Sequence, residues 1–343
     1  MNNSKITVLG AGSWGTALSL LLHKKGHQVN LWMKEEAQLK KIIATNENSK
    51  YLPGVFIPNS LKLFTDIEKA VTDTELVLLT VPSQVIREVI KSAKNYIRPN
   101  QIIINASKGL EQNTLMRISE VIKEELPSNP FAALSGPSHA EEVCKNMPTT
   151  LAVASEKKEI AELVQDVFIT KSFRVYTNPD LIGVELGGAL KNVIAFGAGV
   201  SDGLGFGDNA KAALMTRGIR EIARLGKKMG ANLATFAGLT GIGDLIVTCT
   251  SMHSRNRRAG ILIGEGKTLE ETLKKIGMVV EGVTTTKAAY QLSLKHGIEM
   301  PITEEIYKVL YEGSNARDAV TNLMTRDRTH EMEEMVEDAN IDW

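Results

Sequence analysis

Cysteine is scarce in this chain: Cys144 and Cys249 are the only two. They stand far apart, offer neither a disulfide framework nor a metal-ligand cluster, and read as reduced thiols of a cytoplasmic protein. The six histidines show no metal-binding spacing, so no metal site is expected. Excess charge is missing too. Forty Lys and Arg balance forty Asp and Glu, and the pI is near 7.0. That gives no broad attraction to nucleic acid or to an anionic membrane, and any anion site must be local. No apolar run approaches the ~18 residues that would cross a bilayer, so no membrane insertion is expected. Residues 6–22 are interrupted by Gly10, Gly12, Ser13 and Gly15 and lack a basic start. They read as strand plus helix rather than as a signal-peptide core. What remains, 343 residues with 43% hydrophobic and 23% charged, is ordinary globular composition with a preference for two domains.

The strongest positive feature is Gly10-Ala11-Gly12-Ser13-Trp14-Gly15. It follows a β-type run, Lys5–Leu9, and opens a helix-like run, Thr16–Leu22. Gly10 permits the strand-to-helix turn, Gly12 lets a backbone approach a pyrophosphate, and Gly15 lets the helix pack on the strand. Free N–H groups and a partial positive charge at the helix start then favour phosphate. The pattern predicts a dinucleotide site. NAD sites usually carry an acid at the end of the second strand, to hold the ribose 2′-hydroxyl. Here that place reads Trp32-Met33-Lys34. Two readings stand. Lys34 pairs with a 2′-phosphate, which favours NADP or dual use with a slight lean to NADP. Otherwise Lys34 is a solvated surface lysine, and Glu35 or Glu36 takes the acidic role.

Strand and helix signals alternate through the first half. Strands are expected at Gln28–Trp32, Leu61–Phe64, Glu75–Val81, Gln101–Asn105, Phe131–Leu134, Thr150–Val153 and Phe173–Tyr176, with helices at Glu35–Ala44 and Thr114–Glu124. Glu75–Val81 is almost continuously apolar, as in a strand buried on both faces. Such alternation implies a Rossmann-type, doubly wound parallel sheet. From Leu181 onward strand signals vanish. Leu186, Leu190, Val193 and Ile194 mark one helix face. Leu214–Leu225, Leu269–Ile276, Thr284–Leu294 and Ile302–Tyr311 read as further helices. The expected fold is α/β followed by an all-α domain: 1–183 for the dinucleotide, 184–330 for substrate and catalysis, and an acidic tail at 331–343.

Ligands of such sheets sit outside the carboxyl ends of the strands. Lys108, in Asn105–Gly109, follows one strand there. Gly136 and Ser138, in Ser135–Ala140, follow another, and Ser83 follows a third. Taken singly, each segment reads equally well as turn chemistry. Glycines crowd residues 183–207, and each costs roughly 0.5–1 kcal/mol relative to Ala inside a helix. That cost implies close approach by another backbone or by a cofactor ring. Lys191, beside this small-residue surface, is a candidate acid–base group if desolvated, or a lysine that snorkels to water. Asp244 follows a glycine turn. Ser254, Arg255 and Asn256 begin a local basic cluster suited to a phosphate, or a solvated charged turn.

Taken together and in order, these segments resemble the NAD(P)-dependent glycerol-3-phosphate dehydrogenases in their bacterial form. The likeness spans roughly residues 4–330. Its specific elements are Gly10–Ala17, Ser107-Lys108-Gly109, Ser135-Gly136-Pro137-Ser138, Glu185-Leu186 to Lys191-Asn192, Gly241 to Asp244 and Ser254-Arg255-Asn256. The resemblance implies interconversion of dihydroxyacetone phosphate and sn-glycerol 3-phosphate, the backbone of phospholipids, with NAD or NADP. It implies that Ser13, Trp14, Lys34, Tyr51, Lys108, Ala140, Arg255, Val279 and Glu281 line the dinucleotide, beside Gly10, Gly12 and Gly15. It implies a substrate site of Lys108, Gly136, Ser138, Lys191, Asp244, Ser254, Arg255 and Asn256. Lys191 is then the proton donor and acceptor, Asp244 and Lys108 set its field, and Arg255 and Asn256 clamp the phosphate. Position 138 is Ser where many relatives have Thr, which keeps the hydroxyl, and Met33-Lys34 replaces arginine-bearing versions of that turn. A homodimer is expected. Two other functions fit the same build: a dehydrogenase of a β-hydroxy acid or hydroxyacyl thioester, and a non-catalytic dinucleotide-binding module.

Overall fold

The computed structural model describes residues 3–328, 330 and 331. The expected acidic tail, 331–343, lies outside these apart from Glu331. The first half runs β1 (Lys5–Leu9), α1 (Ser13–Lys24), β2 (Gln28–Trp32), α2 (Glu36–Thr45), β3 (Lys62–Phe64), α3 (Ile67–Val71), β4 (Leu76–Leu79) and α4 (Ile86–Ala93). It continues through β5 (Ile102–Asn105), α5 (Ile118–Glu125), β6 (Phe131–Ser135), α6 (Ala140–Cys144), β7 (Thr149–Ala154), α7 (Lys158–Phe168) and β8 (Phe173–Asn178). All eight strands form one sheet in the order β3-β2-β1-β4-β5-β6-β7-β8. Apolar side chains of the central strands point to both faces. Ile6, Val8 and Leu78 meet Leu18 and Leu22 of α1 and Val164 and Phe168 of α7. Leu9, Val77 and Leu79 meet Ile86 and Ile90 of α4 and Ile118 and Ile122 of α5 on the other face. The doubly wound expectation holds. The order reverses between β1 and β4, and the crevice at such a switch point is where these sheets bind ligands.

The sheet is not parallel throughout. β6 and β7 pair antiparallel, and β8 follows β7. The connection 136–148 holds one five-residue helix, α6, about 7.5 Å long at 1.5 Å per residue, less than half of the roughly 17 Å of strand that a parallel return must retrace. The chain turns instead. The helix expected from Thr114 begins at Ile118. Leu115 takes a left-handed backbone, φ 62°, which ends any earlier turn. Glu120 then accepts from the Arg117 N–H at 2.8 Å and starts the helix there.

The second half is helical: α8 (Leu181–Gly203), α9 (Asp208–Lys228), α10 (Leu233–Phe236), α11 (Asp244–Thr250), α12 (Arg255–Gly264), α13 (Leu269–Ile276), α14 (Glu281–His296), α15 (Pro301–Tyr311) and α16 (Ala316–Met324). α8 is its axis. Leu186, Leu190, Val193, Ile194 and Phe196 sit in one core with residues of α9, α11, α12, α14 and α15. Two stretches, Leu181–Gly203 and Leu233–Thr250, prove long and apolar enough to cross a bilayer, contrary to expectation, with mean hydropathy 1.4. In α8 that apolarity serves the protein core, since 94% of its most apolar stretch is buried.

The glycine crowding in α8 has a packing cause. A Cβ on Gly199 would collide with the Arg257 carbonyl of α12, and one on Gly260 of α12 with the Phe196 carbonyl of α8. The two backbones cross in contact, which only glycine allows. Gly260→Ala is expected to destabilise the fold by about 1–3 kcal/mol, the usual penalty of overpacking. A thermal melt reads this, and an unchanged Tm would show that the crossing tolerates a side chain.

Candidate active site

The fingerprint loop is built as its glycines require. Gly10 has φ 120°, and a Cβ there would press on Val81 at 2.8 Å. A Cβ on Gly15 would strike the Gly10 carbonyl. The loop is fastened from outside by three residues that the motif does not contain. Gln38 and Asn48 donate to the Ala11 carbonyl at 2.7 and 2.9 Å. Thr80, at the end of β4, donates to the Gly10 carbonyl at 2.9 Å. Ser13 donates to the Tyr51 carbonyl, which draws the 51–54 loop over the start of α1. Ala140 packs with Ala17 and Leu52 beside Trp14.

Three observations fit this crevice to a dinucleotide. Gly12 faces open space, and a Cβ there would meet nothing within 4 Å. The first turn of α1 carries no side-chain cap, so its N–H groups are available to phosphate oxygens. Trp14 Nε1 is buried with no partner among the described residues. At the end of β2, Met33 is buried and Lys34 exposed. Glu36 is drawn aside by Thr65, whose hydroxyl donates to it at 2.9 Å. Glu35 stands exposed as the residue before α2.

Opposite the crevice, α8 brings Lys191 to the seam between the two halves. Glu185, one turn and a half earlier, fastens that helix to the sheet domain by accepting from the Ser119 N–H and from Arg117, each at 2.8 Å. Lys191 is 5% exposed, and Asp244 is 1% exposed. Lys191 Nζ donates to Asp244 Oδ1 at 2.7 Å and to Thr248 Oγ1 at 2.6 Å. Asp244 Oδ2 accepts from Lys108 Nζ at 2.8 Å. One buried carboxylate thus joins an ammonium from each domain. Two like charges around one carboxylate leave a local surplus of one positive charge in a low-dielectric seam, where a developing anion is favoured. Lys108 also donates to the Gly136 carbonyl at 2.7 Å, and Ser138 donates to the same carbonyl at 2.9 Å. Gly136 can present that carbonyl because its φ is 136°.

Burial pushes Lys108 down to about 8, helped by the charge of Lys191 and opposed by Asp244. Its ammonium is lost as pH rises through that value, and Asp244 then keeps one partner. kcat/KM for carbonyl reduction is therefore expected to fall as pH climbs past about 8. Lys108→Arg, which cannot lose its charge, moves that alkaline limb upward. A profile that stays level well above this point in the wild type would contradict the assignment.

The basic cluster is split by the fold. Ser254 caps α12, accepting from the Arg257 N–H at 3.2 Å. Arg257 is held by Asp202, with Nε to Oδ2 at 2.8 Å. Asn256 is buried and largely engaged: it donates to Asn192 Oδ1 and accepts from the Gly282 N–H, each at 2.8 Å. One Nδ2 hydrogen remains for a ligand. Arg255 sits in the first turn of α12, where the helix end also favours an anion. Burial lowers its pKa, with Glu281 and Glu141 opposing. Glu281 heads α14 and crosses the seam, accepting from the Ser83 N–H at 2.9 Å and hydroxyl at 2.6 Å. Val279 is exposed two residues before it.

Thr248 and His139 are site residues that sequence reasoning missed. Thr248 lies four residues after Asp244 on the same helix face, a spacing that could have flagged it. His139 Nε2 is buried without a partner among the described residues. Burial lowers its pKa, and the charges of Lys191 and Lys108 lower it further.

A doubly wound sheet with a glycine-fingerprint crevice, facing a helical domain that presents a buried lysine–carboxylate–lysine cluster, defines a two-domain nicotinamide-nucleotide dehydrogenase. Comparison with known proteins narrows the class. The family model for the NAD-dependent glycerol-3-phosphate dehydrogenase N-terminus matches residues 5–161, and that for its C-terminus matches residues 180–321. The chain belongs to the NAD-dependent glycerol-3-phosphate dehydrogenase family. A glycerol-3-phosphate dehydrogenase (NAD(P)+) of Thermoanaerobacter sp. is 58% identical over 328 residues, covering 96% of this chain and 99% of that one. Its counterpart in Pelotomaculum thermopropionicum is 57% identical over 336 residues, covering 97% and 96%. The crystal structure of glycerol-3-phosphate dehydrogenase from Coxiella burnetii superposes with a TM-score of 0.92 at 40% identity, covering 95% of this chain and all of the other.

Proposed function

We propose that this protein reduces dihydroxyacetone phosphate to sn-glycerol 3-phosphate with NADH or NADPH, reversibly, and supplies the backbone for glycerophospholipid synthesis. The observation that carries the reading is the Lys108–Asp244–Lys191 cluster, which ties the helical half to the carboxyl edge of the sheet, the edge that also carries the glycine fingerprint. A bound nicotinamide supplies the hydride that adds to C2 of the ketone. Lys191 gives the growing alkoxide its proton, since Asp244 and Thr248 engage two of its three N–H groups and leave one for the carbonyl oxygen. It regains the proton from solvent. Asp244 pairs with it and holds it oriented, Lys108 shares that carboxylate from the other domain, and Gly136 and Ser138 fix Lys108. Arg255, the Ser254 hydroxyl and the remaining Asn256 hydrogen hold the substrate phosphate at the start of α12, so binding energy far from C2 positions the reacting carbon. Gly10, Gly12, Ser13, Trp14, Gly15, Tyr51, Ala140, Val279 and Glu281 line the nucleotide. Glu281 does so while tying α14 to Ser83. Residues 1–183 form the nucleotide domain and 184–330 the catalytic one.

A compact phosphate clamp favours this substrate over a β-hydroxy acid or a hydroxyacyl thioester, and a buried acid–base cluster is not needed by a mere binding module. The two unpaired thiols, Cys144 and Cys249, suit a cytoplasmic enzyme, and we infer a homodimer that takes small molecules rather than nucleic acid or membrane. The exposed Lys34 gives NADPH a slight advantage by pairing with the 2′-phosphate. Parallel assays on dihydroxyacetone phosphate with each cofactor test this. Lys34→Asp is expected to shift the kcat/KM ratio roughly tenfold or more toward NADH, one charge pair being about 1.4 kcal/mol or more at such a site. An unmoved ratio would return the selection to Glu35.

A further inference from the structure

The wall of the nucleotide crevice carries a cation that neither the fingerprint nor the family resemblance names. Lys50 stands in the segment 48–51, which the fold fastens on both sides of it. Asn48 is buried and donates to the Ala11 carbonyl and to Thr16 Oγ1, each at 2.9 Å. Gln38 of α2 donates to the same Asn48 at 3.3 Å. On the other side, Ser13 donates to the Tyr51 carbonyl. The Tyr51 N–H donates to the Asn48 carbonyl at 3.0 Å and closes a turn with Lys50 at its third position. The Lys50 side chain is exposed, and its Nζ lies over the Tyr51 ring, 5.0 Å from the centroid. The Tyr51 hydroxyl holds its pKa above the ordinary lysine value, and the Glu35 carboxylate adds to the rise. Glu35 directly follows Lys34 at the end of β2, is exposed and caps nothing in α2. Sheets of this type read the ribose 2′ position there. One carboxylate therefore neighbours two exposed ammonium groups, Lys34 by sequence and Lys50 from the turn.

We propose that Lys50 is a specificity residue for the nucleotide: its ammonium pairs with the 2′-phosphate of NADPH beside Lys34, and with Glu35 when the nucleotide is NADH. A phosphate monoester carries about 1.5 to 2 negative charges near pH 7, more than one lysine neutralises. A single exposed lysine also makes a weak, screened pair, because a long stem must be held still. Lys50 starts from a fastened turn and lies against an aromatic face, so less freedom is lost when its pair forms. With NADH the same ammonium offsets Glu35, which accepts from the ribose 2′-hydroxyl. With NADPH it stands between that carboxylate and the phosphate, two anions that would otherwise repel. The inference rests on the proposed use of either nucleotide, and it supplies the residue that lets one site take both.

Binding without turnover tests it. The full-length protein is titrated with NADPH and with NADH in the absence of ketone, read by nicotinamide fluorescence, and the ratio of the two affinities isolates the 2′-phosphate. Lys50→Met is expected to lower the preference for NADPH about two- to fivefold, the scale of one exposed ion pair. Lys50→Glu should lower it further, and Lys50→Arg, which keeps the charge, should retain it. Lys34→Met combined with Lys50→Met should lose more than either alone. Raised salt should shrink the wild-type preference, since exposed pairs are screened, and should shrink that of Lys50→Met less. A preference unchanged in Lys50→Met but lowered in Lys34→Met overturns the proposal and leaves the reading of Lys34 standing. A preference lost equally in Lys50→Arg and Lys50→Met also overturns it, since the charge would then not be what is read. A wild type that binds both nucleotides equally, at low salt as at high, overturns the proposal together with the lean to NADPH.

Discussion

Replacing Lys191 by Ala is expected to lower kcat by ~10²–10⁴-fold, the scale of a positioned acid–base group, while KM for dihydroxyacetone phosphate changes little. The Nζ is the one ammonium of the seam with an uncommitted N–H. Two of its hydrogens go to Asp244 and Thr248, whereas Lys108 is spread over Asp244, Gly136 and, at 3.5 Å, Ser138. Thr248 also donates to the Asp244 carbonyl at 2.6 Å, so Lys191 is held in one place by a helix turn that is itself fixed. Its removal leaves the Asp244 carboxylate with one of its two ammonium partners, Lys108, so some stability is lost as well. Lys191→Met, which keeps the packing of the stem, separates the two effects: it should recover the melt and leave kcat low. Near-wild-type turnover in either variant, with the fold intact, would take proton delivery away from this residue.

Arg255→Ala is expected to reduce kcat/KM for dihydroxyacetone phosphate by ~10²–10³-fold, since truncating one partner of a buried charge pair costs about 2–5 kcal/mol. Most of the loss should appear in KM, because the phosphate is held in the ground state and the transition state alike. Unphosphorylated dihydroxyacetone is the control. The wild type is expected to reduce it poorly, and the substitution should leave that poor rate unchanged, as there is no phosphate to hold. Equal losses on both ketones would mean that Arg255 acts on the nucleotide side of the seam. Asn256→Ala should behave differently. Its amide ties α8 to the start of α14 through Asn192 and Gly282, so the variant loses stability along with affinity.

The nucleotide half was legible because its signals are local. Six consecutive residues carry the turn, the close approach and the helix start, and the buried strands announce themselves by apolar runs. The direction of a strand is not encoded that way. β7 looks like its neighbours in sequence, and its direction follows from the connection before it, whose one helix is only five residues long. The glycine-rich helix was legible as a site of close approach, and of the two causes that sequence left open the structure shows the backbone one. Gly199 and Gly203 meet α12, while Gly188 faces Ser135 and the stem of Lys108. The cluster itself was out of reach of any spacing rule. Its members are separated by 53 and 136 residues, and reading residues alone left Lys191 free to point into water. Only the resemblance put Lys108, Lys191 and Asp244 in one site, and their contacts follow from the domain seam. Asn256 shows what a motif leaves out: a basic turn suggested a phosphate ligand, and the fold also spends two hydrogen bonds of that amide on joining α8, α12 and α14.

The central claim is that the Lys191 ammonium delivers the proton to the ketone oxygen. Chemical rescue measures this directly: Lys191→Ala assayed on dihydroxyacetone phosphate at saturating cofactor with methylammonium titrated in. Saturable recovery of kcat is predicted, larger for amines that are protonated at the assay pH and small enough for the space the side chain leaves, with no such response in Lys108→Ala. Rescue of Lys108→Ala in its place, or a Lys191→Ala rate indifferent to every small amine while the fold is intact, would contradict it.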